Sequence, residues 1–83
     1  GNLAVLIPKR YTGKVKQVRI LNPEGTKELA KGKYSGVGNG DREHYRFNKA
    51  GGQYPAGAIV LIEMKNGDVH HVKIKDTAKR MER

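Results

Sequence analysis

The sequence predicts an all-β domain: a single small β-sandwich of about seven short strands spanning residues 1–83. Three observations predict it. Ala58-Ile-Val-Leu-Ile-Glu-Met-Lys65 and Asp68-Val-His-His-Val-Lys-Ile-Lys75 flank an Asn66-Gly67 step, the strongest short-range hairpin signal a sequence carries. Turn residues recur at short, regular intervals, and no long stretch keeps a helical period. Residues 14–21 are rich in β-branched side chains. A small SH3-like or OB-like barrel is the runner-up architecture, because short strands with frequent turns also build barrels.

In chain order, residues 3–7 (Leu-Ala-Val-Leu-Ile) read as a first strand that Pro8 ends; the run is far too short to span a bilayer. Gly13 precedes Lys14-Val-Lys-Gln-Val-Arg-Ile-Leu21, a second strand. Val15 is out of phase with Val18 and Ile20, and a bulge at Lys16-Gln17 would put all three on one face. Asn22-Pro23-Glu24-Gly25 suits a type I turn, with Asn first, Pro at the second position and Gly last. Residues 26–31 fit either a return strand or a short helix. Residues 32–57 hold seven of the eleven glycines. Within them, Asn39-Gly-Asp-Arg-Glu-His-Tyr-Arg-Phe47 matches Asn66-Gly-Asp-Val-His-His-Val-Lys-Ile74 place for place, which points to two hairpins built alike. Alternation turns Tyr45 and Phe47 inward and His44, Arg46 and Asn48 outward. The tail 76–83 reads as a short capped helix or a frayed end.

A two-residue type I′ loop at Asn66-Gly67 fixes a register. It pairs Glu63 with His70, Ile62 with His71, and Leu61 with Val72. One face then carries Ile59, Leu61, Val72 and Ile74, with Glu63 and His70 near the turn. The other carries Val60, Ile62 and Met64 beside Val69, His71, Lys73 and Lys75. The first strand is apolar on both faces and belongs inside a sheet. The second is amphipathic and belongs nearer an edge, where a second copy could pair with it.

Apolar residues make up only 36% of the chain and charged residues 30%, with no cysteine, one Phe and no Trp. A disulfide scaffold and thiolate metal sites are thereby excluded. A chain that opens on Gly1 is compatible with a removed signal peptide or a tag remnant. Secreted and cytoplasmic settings fit a soluble chain of this kind alike. The net charge is +9, and residues 1–33 hold eight Lys and Arg against only Glu24 and Glu28. Such asymmetry points to a polyanion: nucleic acid, acidic glycan or an anionic surface. The cations expected to carry it are Lys9, Arg10, Lys14, Lys16 and Arg19, with Arg46, Lys73 and Lys75 as a second patch. Tyr11, Tyr34 and Tyr54, beside basic or glycine-rich segments, are the candidate stacking platforms.

Chemistry beyond charge would rest on a few polar side chains. His44, Glu63, His70, Arg42 and Arg46 are the residue types of a small metal-independent ribonuclease, with Glu63 and His70 as the acid–base pair. An ordinary cross-strand ion pair explains the same two residues. His70 and His71 are adjacent on a strand, so their side chains leave opposite faces and cannot share one metal ion. Gly36-Val-Gly-Asn-Gly40 lacks the Gly-Lys-Ser/Thr ending of a phosphate loop and the spacing of a dinucleotide fingerprint. No cofactor motif and no metal site is expected.

From Val18 onward, "VRILNPEGTKEL … HYRFN … YPAGAIVLIEMKNGDVHHVKIKD" resembles small secreted immunoglobulin-like or carboxypeptidase-regulatory-like β-sandwich modules. The likeness is one of strand pattern and turn residues over 18–76: a strand, a polar turn with Gly, then Pro55-Ala56-Gly57 leading into a long apolar strand and a final hairpin. No aromatic follows Gly57, where such modules place one, and the chain is more basic than they are. The segment 57–75 is also similar to two strands of an SH3-like barrel. The sandwich resemblance implies a non-catalytic accessory or adhesion-type module. The function expected is therefore non-enzymatic binding of a polyanion through a positive face. A structural or protein-interaction module of a secreted or surface protein, and the ribonuclease, are the alternatives.

Overall fold

A computed structural model describes residues 2–48 and 54–74. Seven strands form: β1 (Asn2–Leu6), β2 (Val15–Leu21), β3 (Glu28–Lys31), β4 (Lys33–Val37), β5 (Glu43–Asn48), β6 (Ile59–Met64) and β7 (Val69–Lys73). They make two antiparallel sheets, β1-β5-β4 and β3-β2-β6-β7. The all-β expectation holds, and residues 26–31 contribute a strand rather than a helix, because β3 gains a full partner in β2. No helix among the described residues is long and apolar enough to cross a membrane. Lys75 and the tail 76–83 lie outside the described residues.

The core sits between the sheets. Leu3, Val5 and Ile7 meet Tyr45 and Phe47 from one side, and Val15, Val18, Ile20, Val60, Ile62 and Met64 from the other; all are buried. The register between β2 and β6 slips between Val15 and Gln17, so the bulge at Lys16 brings Val15, Val18 and Ile20 onto the inner face. The sheets join at one corner. Residues 28–37 run on from β3 in one sheet to β4 in the other, broken only at Gly32, whose N–H donates to the Val18 carbonyl at 2.8 Å. A Cβ at Gly32 would lie 2.6 Å from Cζ of Phe47, so the bend fits the ring only without a side chain.

Asn22 starts its turn as its sequence implies. The Gly25 N–H donates to the Asn22 carbonyl at 2.8 Å, and the Asn22 side-chain oxygen accepts from the N–H groups of Thr26 and Lys27. Pro55-Ala56-Gly57 is also a turn, closed by the Ala58 N–H on the Pro55 carbonyl.

The final hairpin differs from expectation. Among its turn residues Gly67 alone takes a positive φ, whereas a type I′ turn needs Asn66 there too. The Gly67 N–H donates to the Met64 carbonyl, and the Met64 N–H to the Asp68 carbonyl. The result is a three-residue loop with Gly67 as a left-handed bulge. Asn66 stabilises it by accepting the Asp68 N–H at 2.9 Å on its side-chain oxygen. The register consequently moves by one: Glu63 faces Val69, Ile62 faces His70, and Leu61 faces His71. Val60, Ile62 and Met64 therefore share the inner face with His70, Val72 and Ile74. Ile59, Leu61 and Glu63 share the outer face with Val69, His71 and Lys73. As expected, β6 is internal and, among the described residues, β7 is an edge.

The β4–β5 connection has the same closing bonds, from the Gly38 N–H to the Arg42 carbonyl and from the Asp41 N–H to the Gly38 carbonyl. Two similar hairpins do form. Yet Asn39-Gly40 fill the first two loop places and Asn66-Gly67 the last two, so the sequence match is out of step with the turns by one residue.

Candidate cationic surface

Among the described residues, those after β1 build a concentrated basic feature. Lys9–Tyr11 form a single 3-10 turn, held by the Tyr11 N–H on the Pro8 carbonyl. Gly13, at φ +75°, turns the chain into β2. The Lys65 N–H at the β6–β7 tip then donates to the Lys14 carbonyl at 2.8 Å. That bond sets Lys14 and Lys65 side by side, and a cleft of about 340 Å³ opens between Gly13, Lys14, Met64, Lys65 and Asn66. Tyr11 ties the two segments together again. Its ring stacks on His70 at 4.9 Å between centroids, and the Arg10 guanidinium lies 4.7 Å from the Tyr11 centroid. Lys9, Arg10, Lys14 and Lys65 thus gather at one end of the sandwich. Sequence reasoning missed Lys65, because its place beside Lys14 depends on a contact fifty-one positions away along the chain.

The other expected cations are placed differently. Arg19 lies on the outer face of its sheet, and its Nε donates to Glu63 at 2.6 Å while Nη1 reaches Glu28 at 3.3 Å. Hydrogen bonding to Glu63 raises its pKa. Two carboxylates occupy this guanidinium, so it is a structural cation here. Lys16 is exposed at the bulge. Arg46 lies on the outer side of β5, and Lys73 on the outer face of β7 in the opposite sheet, so these two do not form one patch.

The aromatic platforms are reduced. Tyr54 is buried in the core. Tyr11 is half-buried and already stacked, and Tyr34 alone of the three is well exposed, with its ring edge-on to Tyr45 at 5.5 Å. Tyr45 and Phe47 are core residues, as alternation implies.

The Glu63–His70 pair does not form. Glu63 is on the outer face, bonded to Gln17 at 3.1 Å and to Arg19, and its pKa is lowered first by the Gln17 hydrogen bond and then by Arg19. His70 is on the inner side of β7 against Tyr11. His44 sits in the other sheet with its ring against Gly38. The acid, the base and the second imidazole therefore occupy three separate places. No family model, no curated protein and no solved structure matches this chain.

Proposed function

We propose that this domain is a non-enzymatic module that binds a polyanion, a chain of closely spaced phosphates or sulfates, through the end carrying Lys9, Arg10, Lys14 and Lys65. One observation carries the reading: the Lys65–Lys14 backbone bond brings two basic turns from distant parts of the chain together. Among the described residues these cations have no carboxylate partners such as those that hold Arg19, and their side chains stand on turns exposed to solvent. Phosphate or sulfate neutralisation by such a cluster releases counterions, so affinity falls steeply with salt. The net charge of +9 draws any polyanion in from a distance.

The test is binding of labelled single-stranded RNA, double-stranded DNA and heparin at roughly 50 and 200 mM salt, the range over which phosphate contacts are felt. Lys14→Glu combined with Lys65→Glu should abolish most of the salt-sensitive binding. Preference for one nucleic acid over heparin identifies phosphate chains as the partner, and the reverse identifies a sulfated glycan. Binding that is indifferent to salt or to the double substitution would overturn the proposal.

A further inference from the structure

The outer edge of β7 is the second feature with a use of its own. The Met64 N–H bonds to Asp68 and the Ile74 N–H to Ala58, so alternate residues of this strand turn their amides toward β6. By that alternation Val69, His71 and Lys73 turn their N–H and C=O groups away from β6. Among the described residues, no strand pairs with them. The side chains along the same edge are exposed on both faces: Val69 is 50% accessible on the outer side and Val72 54% on the inner side. An edge of this kind is a template for one more strand.

We infer that β7 is a docking edge for an extended, acidic segment of a partner protein, which adds to the four-stranded sheet as a fifth strand. Charge chooses this occupant. Side chains of the incoming strand on the outer face would lie beside His71 and Lys73, where acidic groups are favoured. Glu63, the carboxylate on the neighbouring strand, is already held by Arg19 and Gln17. On the inner face an apolar side chain would cover Val72. The matching sequence thus alternates acidic and apolar residues. A second copy of this chain suits the edge less well. Both copies carry +9, and the antiparallel register that uses all three free residues puts His71 directly against its own copy.

The experiment titrates the isotope-labelled full chain with an acetylated, amidated peptide alternating Glu and Val over eight residues. The expected result is slowed amide exchange and shifted resonances at Val69, His71 and Lys73, with β3, at the opposite edge of that sheet, unchanged. A peptide with alternate amides N-methylated, which cannot complete the ladder, should not bind, and neither should one alternating Lys and Val. Lys73→Glu should weaken the Glu-Val peptide roughly threefold or more, the effect of one cross-strand charge pair. Four results would overturn the inference. These are no binding up to about 1 mM, the weak limit of specific association; equal binding of the N-methylated peptide; shifts confined to Lys14 and Lys65; or protection of the three amides without peptide, with a dimer in sedimentation, which would assign the edge to a second copy.

Discussion

Arg19 on β2 and Glu63 on β6 meet at 2.6 Å across the sheet, on the outer face, beside Leu21, Ile59 and Leu61. The pair joins two strands that are distant in sequence, and Gln17 completes it by donating to the same carboxylate. The folded-state pKa of Glu63 is lowered by these bonds. Its contribution to stability is thus present above the ordinary carboxylate pKa and lost as pH falls through the lowered value. Glu63→Gln should cost about 0.5–1 kcal/mol at neutral pH, because the pair is partly open to solvent, and much less in acid. Urea unfolding at several pH values checks this. An unchanged acid dependence in the variant would show the pair to be idle.

The same pairing separates two kinds of cation in binding assays. Arg19→Gln should leave the affinity for a polyanion within about twofold, since its charge is already spent on Glu63 and Glu28 and one screened surface charge contributes little. Lys14→Gln, at the clustered end, should lower affinity and flatten the salt dependence by about one unit of slope, the loss of one phosphate contact. Fluorescence anisotropy across a salt series distinguishes the two. A larger loss for Arg19→Gln than for Lys14→Gln would place the polyanion on the sheet face instead.

Gly67 governs the register of the last hairpin. Its φ of +97° is a conformation that side chains resist, although open space surrounds the position. Gly67→Ala should therefore cost about 1 kcal/mol or more through backbone strain alone. Asn66→Ala should cost about 0.5–1.5 kcal/mol, since it removes the hydrogen bond to the Asp68 N–H. Thermal melts measure both. If Asn66→Gly proved markedly more stable than the parent, the loop would have relaxed to the two-residue form, and amide–amide contacts would then pair Glu63 with His70.

Local chemistry made much of the fold legible. The bulge at Lys16 followed from the phase of Val15 against Val18 and Ile20, and the turn at Asn22 from its Pro and Gly. Alternation alone places Tyr45 and Phe47 inside. What escaped depended on side-chain competition or long range. Asn-Gly permits both a two-residue and a three-residue loop, and the Asn66 hydrogen bond to Asp68 decides between them. One residue of difference dismantled the Glu63–His70 pair and moved Val72 and Ile74 to the other face. The candidate site was half legible: Lys9, Arg10 and Lys14 lie close together in sequence, within residues 9–14. Lys65 joins them, and Arg19 leaves them, only through contacts between β2, its preceding turn and β6.

The corner between the sheets sets a steric test. Gly32 is needed for space rather than for a positive φ, because a methyl group would meet the fully buried Phe47 ring. Gly32→Ala should cost about 1–3 kcal/mol, the usual cost of overpacking a core. Phe47→Leu should cost a similar amount through lost packing. The double substitution should be less destabilising than the two singles added, since the smaller side chain leaves room for the methyl. Strict additivity in denaturant unfolding would mean that ring and corner do not touch.

Tyr54 ties the stability of the core to alkaline pH. Its ring is buried, and its hydroxyl is the one buried side-chain polar atom without a hydrogen-bond partner among the described residues. Burial raises its pKa, as it also does for Tyr45. A group whose folded pKa is raised stabilises the fold below its unfolded value, and that contribution is lost as pH rises through the folded one. The domain should consequently lose stability as the pH climbs past about 10, the ordinary tyrosine range. Tyr54→Phe removes a hydroxyl that is desolvated without compensation, so it should be neutral or stabilising by about 1 kcal/mol at pH 7. It should also hold its melting temperature further into alkali than the parent. A Tyr54→Phe protein that is clearly less stable at neutral pH would show that the hydroxyl has a partner in solution, and would move the cause of alkaline unfolding to Tyr45.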